Sequence, residues 1–445
     1  MKLIIENAVL WGDNVDLHIE EGRIRSITSR KAGSESVPPR QEAENARILD
    51  AGGNFVVPSL KNGHTHAAMT LLRGYADDMK LQPWLEEKIW PAEASLTAED
   101  LYWGTRLAAI EMIRTGTTFS NDMYFYFPEA WKAYKDSGIK AAAGPAMLDF
   151  FDEDTSDRLI EENSTLFAEY TPGEGSIPTD PEHSTEEKLL FSLAPHSIYT
   201  VSEKTLRWTA EFAREKGIQV HIHLSETEKE VNDCIYSHGV RPVEYLHKIG
   251  LLGPHTLCAH GVWLSEKEVS LLADSGTTVA HNPASNMKLA SGSCFPYRRL
   301  KEAGVPIMLG TDGCSSNNNL NMFDEMKLAA LLQKHHFGDT ELMTAGEILD
   351  IACGASSDVY PHLSGKVEEG AHADLLLIDR NHPSMVPSFN LDSNLVYSCA
   401  GTAVDSVICA GEVLMEKRKI EGEEEVLEAA RERARLLKER AGKSA

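Results

Sequence analysis

From Phe55 to about Cys353, β-prone apolar runs alternate with stretches of helical period. No other feature restricts the fold as strongly. The runs cover 55–60, 116–120, 140–147, 189–193, 218–224, 256–258, 277–280 and 305–309, and helix-period sequence such as 98–114 or 202–216 follows them. Eight buried strands, each followed by a helix, are what a (β/α)8 TIM barrel predicts.

The two ends of the chain read differently. Short β-prone runs at 3–5, 15–19 and 23–27 are broken by Gly12-Asp13-Asn14 and Glu21-Gly22, which are turn signals. Residues 30–46 are polar, contain Pro38-Pro39 and read as a loop; 171–186, rich in Pro, Gly, Ser and Glu, read as an inserted one. After Gly365 the pattern is β-like again, over 373–379 and 404–413. The simplest arrangement is a barrel over 58–364 flanked by one discontinuous small β-sandwich domain, built from 1–57 and 365–445. Apolar Val426, Ala430, Ala434 and Leu437 within 423–440 predict a surface helix. A length of 445 residues is then one large barrel with an appendage.

Charge narrows the partners. With 43 Lys+Arg against 68 Asp+Glu, the net charge is −25. Nucleic acid and anionic lipid both need basic footprints, so neither is an expected partner. No apolar run reaches the ~18 residues of a membrane span, and the start of the chain lacks the apolar core of a signal peptide. The 7 cysteines include no Cys-x-x-Cys pair, which predicts reduced thiols in a cytoplasmic protein.

The chemistry concentrates at strand ends. In Asn62-Gly63-His64-Thr65-His66 two histidines lie two apart just after a strand run; in extended chain both point to one side. An isolated His-x-His is usually bland. Here it recurs as His221-Ile222-His223, joined by Ala259-His260-Gly261 and by Gly310-Thr311-Asp312-Gly313. These fall at the ends of candidate strands 1, 5, 6 and 8, which share one mouth of a barrel. The ordinary alternative needs several core histidines to land there by accident. Histidine and carboxylate donors without cysteine suit Zn²⁺, with Fe²⁺ second, and such a metal brings the pKa of a water toward neutrality. Glu226, in His223-Leu224-Ser225-Glu226, is close enough to serve as an acid/base group. Taken alone, a Glu after a strand is more often a helix-start acid favoured by the dipole.

This set resembles the amidohydrolase superfamily, in the branch of 5′-methylthioadenosine/S-adenosylhomocysteine deaminases and related chlorohydrolases. The resemblance spans nearly the whole chain and is sharpest at 63–74 (GHTHAAMTLLRG), Gly116-Thr117-Thr118, Ala194-Pro195-His196, 223–226, Ala259-His260-Gly261, 281–288 (HNPASNMK) and 309–318 (LGTDGCSSNN). It implies one divalent metal, usually zinc, on His64, His66, His223 and Asp312. Asp312 would also take the proton of the attacking water and His260 would polarise that water. Glu226 would protonate the purine nitrogen beside the attacked carbon, so that an adenosine-type nucleoside loses ammonia and an inosine-type product remains. Relatives are often dimers or tetramers, which implies a homo-oligomer.

For the substrate, the resemblance aligns Glu93 with a ribose-hydroxyl acid, His196 with a nucleoside-contacting histidine and Arg158 with a substrate-contacting arginine. Their plainer readings are a helix-start acid, a capped strand end and a charge on an acidic surface helix. Two departures stand out. Residues 58–63 differ from the usual Pro-Gly-Leu/Phe-x-Asn-Thr pattern without changing a ligand. Gly144-Pro145-Ala146-Met147-Leu148-Asp149 lacks the arginine that S-adenosylhomocysteine users can place there for the amino-acid carboxylate. That favours a small 5′ group, as in 5′-methylthioadenosine, 5′-deoxyadenosine or adenosine. Rival readings are a chlorohydrolase or a guanine or pterin deaminase on the same metal site, and a metal-free structural relative. His18-Ile19-Glu20 lacks the later Pro-Cys-x-x-Cys of nucleic-acid base deaminases, and Gly442-Lys443-Ser444 lacks the glycine of a phosphate loop.

Overall fold

The computed structural model describes residues 2–30, 46–171, 188–354, 359–360, 363 and 365–444. Strands β1 (Lys2–Leu10), β2 (Asp13–Glu20) and β3 (Arg23–Ser29) form an antiparallel meander. Its turns place Trp11-Gly12 and Glu21-Gly22 at positive φ, the backbone that tight hairpins demand. β4 (Arg47–Asp50) and β5 (Phe55–Pro58) both run parallel to β1, one against Leu3 to Glu6 and the other at Val9. The switch falls at a bulge in β1, where Asn7 has φ +59°.

The barrel strands follow: β6 (Leu60–Thr65), β7 (Thr117–Tyr124), β8 (Lys140–Met147), β9 (Leu189–Pro195), β10 (Gln219–Leu224), β11 (Thr256–His260), β12 (Thr278–His281) and β13 (Ile307–Leu309). They pair in parallel and in chain order. Closure comes just past β13, where the amides of Thr311 and Asp312 donate to the His64 carbonyl at 3.1 and 2.9 Å. The covering helices begin at side-chain caps, among them Thr97, Asp152, Ser202, Thr227, Ser265 and Thr344, which satisfy first-turn amides.

β14 (Leu375–Ile378), β15 (Val404–Cys409) and β16 (Glu412–Met415) return to the first sheet through β5, giving the order β16-β15-β14-β5-β1-β2-β3. Both chain ends thus build one mixed sheet, forked at β1, and Ile5, Leu17, Leu375 and Ile408 share its core. The run at 55–60, expected as one barrel strand, is split between the two sheets. Val56 and Val57 pair with β14 in the small sheet, and the first barrel strand starts only at Leu60. An apolar run shows that a strand is buried, not which sheet it joins. The loops expected over 30–46 and 171–186 lie almost wholly outside the described residues.

A buried ionic cluster joins the sheets at the end of the barrel where the strands start. Asp374 Oδ2 accepts from Lys140 Nζ at 2.7 Å and Lys61 Nζ at 3.3 Å, and its Oδ1 from the Ala410 amide at 2.8 Å. The C-terminal helix Glu423–Ser444 is docked rather than merely solvated: Ala430 and Leu437 are buried, and Arg433 donates to the buried Asp100 at 2.7 Å. Among the described residues no helix is long and apolar enough to cross a membrane.

Candidate active site

The ends of β6, β7, β10, β11 and β13 bring the charged and imidazole groups to one mouth. Close backbone approach there requires glycine at 310, since a Cβ would come within 2.4 Å of Asn282 Oδ1 and 2.8 Å of the His64 amide. His66 donates from Nδ1 to the Met123 carbonyl at 2.7 Å, and His223 from Nδ1 to the His196 carbonyl at 2.7 Å. A carbonyl can only accept, so each ring carries its proton on Nδ1 and turns a bare Nε2 lone pair inward. Those two Nε2 atoms stand 3.2 Å apart. Asp312 Oδ1 lies 3.4 Å from both His64 Nε2 and His66 Nε2, and His64 Nε2 is buried with no hydrogen-bond partner.

Facing lone pairs repel unless a cation lies between them. Four donors around a metal at Zn–N lengths of about 2.0–2.1 Å are themselves about 3.3 Å apart, close to the spacings here. Groups of donors from His64, His66, His223, His260 and Asp312 converge within 4.8 Å of one another. The residues fit a divalent metal. Burial pushes the His64 imidazole down to about 4 and holds His223 well below its ordinary value, so both stay neutral, as ligands must. Burial alone would raise the Asp312 carboxyl, but the imidazoles of His64, His66 and His260 gathered around it hold it well below the carboxylate range.

His260 is arranged the other way round. The amides of Asn286 and Asn282 donate to its Nδ1 at 2.9 and 3.3 Å. Its proton therefore sits on Nε2, which faces Glu226 Oε2 at 3.9 Å. Glu226 is buried; that burial, with the Asp312 charge, pushes its carboxyl up to about 8. At neutral pH it holds a proton. Asp312 is steadied from outside by the Ser285 hydroxyl on Oδ2 at 2.6 Å and the Gly313 amide on Oδ1 at 2.7 Å.

A cleft of about 670 Å³ opens from this cluster, walled by Trp84, Leu85, Trp90, Ala146, Leu148 and Leu289. Glu93 lines it, its Oε1 accepting from the Tyr124 hydroxyl at 2.7 Å, and burial raises its carboxyl to about 7. His196 lines it too, with Nδ1 2.8 Å from Thr200 Oγ1. Arg158 does not join them. It is exposed on the helix Glu153–Tyr170, whose buried residues are Ser156, Asn163 and Phe167, and it is not among the residues lining the cleft.

Sequence reasoning passed over Tyr124, Ser285, Asn286 and Trp84. Ser285 and Asn286 lie in the 281–288 stretch already singled out; for Tyr124 and Trp84 no local signal existed. His221 is the subtler case. It shares a strand face with His223 but sits one step deeper, and its Nε2 meets His64 Nδ1 at 2.8 Å. It lies behind a candidate metal donor, where it fixes the orientation of the His64 ring.

The sequence signature of the amidohydrolase family matches residues 55–414. The chain is 49% identical over 400 residues to the 5′-deoxyadenosine deaminase of Methanoregula boonei, covering 90% of this chain and 88% of that one. It is 44% identical over 394 residues to 5-methylthioadenosine/S-adenosylhomocysteine deaminase 1 of Archaeoglobus fulgidus, covering 88% and 90%. In three dimensions it is similar to an adenosine deaminase from Xanthomonas campestris solved with bound zinc, at a TM-score of 0.86 and 30% identity, covering 98% of each chain. With this signature over most of its length and the histidine–aspartate cluster at the barrel mouth, the chain belongs to the amidohydrolase family.

Proposed function

We propose that the protein is a zinc-dependent hydrolytic deaminase of an adenosine-type nucleoside, releasing ammonia and the inosine derivative. The observation that carries this reading is the proton held by Glu226 beside the ligand cluster, in a cleft whose second carboxyl, Glu93, can accept from sugar hydroxyls. The names of the relatives at 49% and 44% identity support it. His64, His66, His223 and Asp312 would hold the metal, which when bound supplies Lewis-acid activation of water near neutral pH. Asp312, ionised and held by Ser285, accepts the proton of the attacking water. His260 orients that water with its Nε2 proton. Glu226 gives its proton to the ring nitrogen beside the attacked carbon. As the C–N bond breaks, Asp312 passes its proton to the departing amine, and the remaining proton on the added hydroxyl goes to the Glu226 carboxylate as the carbonyl forms, so one water enters, one ammonia leaves and both carboxyls are restored. The buried free cysteines support a cytoplasmic setting.

The wall formed by Ala146 and Leu148 is apolar, and the charged residues lining the cleft are acidic: Glu93, Glu226 and Asp312. Among the described residues lining the cleft, a 5′ group bearing a carboxylate meets no lysine or arginine. In a panel followed by loss of adenine absorbance, 5′-deoxyadenosine, 5′-methylthioadenosine and adenosine should be consumed, with S-adenosylhomocysteine slower. A clear preference for S-adenosylhomocysteine would remove the small-substituent inference. Turnover of guanine or a triazine with no adenosine derivative consumed would overturn the reading itself. Elemental analysis of purified protein should find one divalent metal per chain, predominantly zinc. Dipicolinate should abolish turnover and added Zn²⁺ restore it; full activity in metal-free protein would sink the metal site.

A further inference from the structure

Ser225, immediately before the acid, has φ +49°, a left-handed backbone that residues with a Cβ adopt at a cost. The helix Glu228–His238 starts two residues beyond Glu226, its cap Thr227 accepting from the Glu230 amide at 3.2 Å. At three other helices the side chain in this third position returns to the amide of its own cap: Asp100 to Thr97, Glu268 to Ser265 and Glu347 to Thr344. That is the usual reciprocal cap. Glu230 departs from it. Its carboxylate reaches upstream, Oε1 accepting from the Ser225 amide at 2.7 Å and Oε2 from the Glu226 amide at 2.8 Å. The group is 5% exposed. From the other side, the Ser225 carbonyl accepts from the amides of Val262 and Trp263 at 3.1 and 2.9 Å, and the Leu224 carbonyl from Gly261 at 2.9 Å. The turn bearing Glu226 is thus tied to the segment just after His260, and one buried carboxylate holds its two amides.

We propose that Glu230 is a positioning residue for the acid, holding the Ser225–Glu226 turn in its left-handed form so that the Glu226 carboxyl is aimed at the reacting ring nitrogen. This rests on the assignment of Glu226 as the proton donor. Glutamine at 230 can accept from one of the two amides but meets the other with its own N–H donors. Aspartate is one methylene shorter and falls back to the ordinary cap at Thr227. In both cases Ser225 loses what holds it at positive φ, and the Glu226 backbone moves. A shift of about 1 Å in a catalytic group is enough to cost on the order of 10²-fold in rate.

The test is a kinetic cycle of wild type, Glu230→Gln, Glu226→Gln and the double variant, with Glu230→Asp as a second probe and metal content measured on each. In the wild-type background Glu230→Gln and Glu230→Asp should lower kcat roughly 10- to 100-fold, with KM nearly unchanged and the metal retained. In the Glu226→Gln background Glu230→Gln should cost nothing further, because the group it aims is gone. Undiminished kcat in both single variants would overturn the proposal, as would the same fold-loss in both backgrounds or a loss that tracks missing metal. Wild-type protein inactive on every adenosine derivative would overturn the functional reading instead, and Glu226→Gln at wild-type rate would overturn the assignment of the acid; the proposal falls with either.

Discussion

Replacing Glu226 by glutamine should lower kcat by about 10²–10⁴-fold, the range for losing a general acid, while the metal and the fold survive. Glutamine keeps the length and planarity of the side chain and can still accept the long contact from Ser291 Oγ, which is 3.5 Å from Oε1. What it lacks is a proton that can be given away. Burial and the Asp312 charge push the wild-type carboxyl up to about 8, so the carboxylic acid is the form present at neutral pH. No metal donor is altered, because the converging groups are His64, His66, His223, His260 and Asp312. Steady-state kinetics with 5′-deoxyadenosine, alongside elemental analysis and a thermal melt, reads all three properties. Wild-type turnover in the variant would remove Glu226 from the mechanism.

The second large effect lies at the opposite end of the barrel. Asp374→Asn should destabilise the protein by about 3–5 kcal/mol, the cost of breaking a buried ion cluster by removing one partner. Lys61 is 0%, Asp374 1% and Lys140 4% exposed, so two ammonium groups depend on one carboxylate. Ser59 Oγ and Thr118 Oγ1 accept from Lys61 Nζ at 2.7 and 2.9 Å, but neither carries charge. Burial would raise the Asp374 carboxyl; the charges of Lys140 and Lys61 and the bonds from Lys140 and Ala410 outweigh it and hold it well below its ordinary value. A carboxyl depressed in the folded state stabilises above its unfolded pKa of about 3.9, and that contribution fades as pH falls below it. Urea unfolding should therefore show the full deficit of the variant at pH 7 and a shrinking one below about pH 4. A deficit under about 1 kcal/mol at pH 7 would mean that the cluster does not bind the two sheets together.

Neither prediction was equally visible in the chain of residues. Glu226 follows a His-x-His at a strand end, and its role is suggested by local spacing. Asp374 and Lys61 are separated by 313 residues, and nothing local couples a lysine in the first barrel strand to an aspartate ahead of β14. Their pairing depends on β5 and β14 lying side by side. The same dependence places residues 55–58 in the small sheet, so the run at 55–60 is not one barrel strand. Helix phase decided Arg158: its charge could be read from the sequence, but which face of Glu153–Tyr170 meets the barrel could not.

What the sequence determined by itself is therefore periodic and local. Apolar runs alternating with helical stretches specify eight parallel strands, and the residues at their ends specify histidine–carboxylate chemistry at a single mouth. What the tertiary structure alone decided is depth. His221 and His223 share one strand face, yet successive residues on a face are about 6.6 Å apart along a strand, so only one can be level with His66. Which one is set by the stagger of strands around the closed barrel, a relation between segments more than a hundred residues apart. That stagger puts His223 beside His66 at 3.2 Å and leaves His221 behind His64 at 2.8 Å. Two residues alike in type and local setting thus end up in different layers, one among the candidate metal donors and the other behind His64, because only the closed ring of strands assigns each a layer.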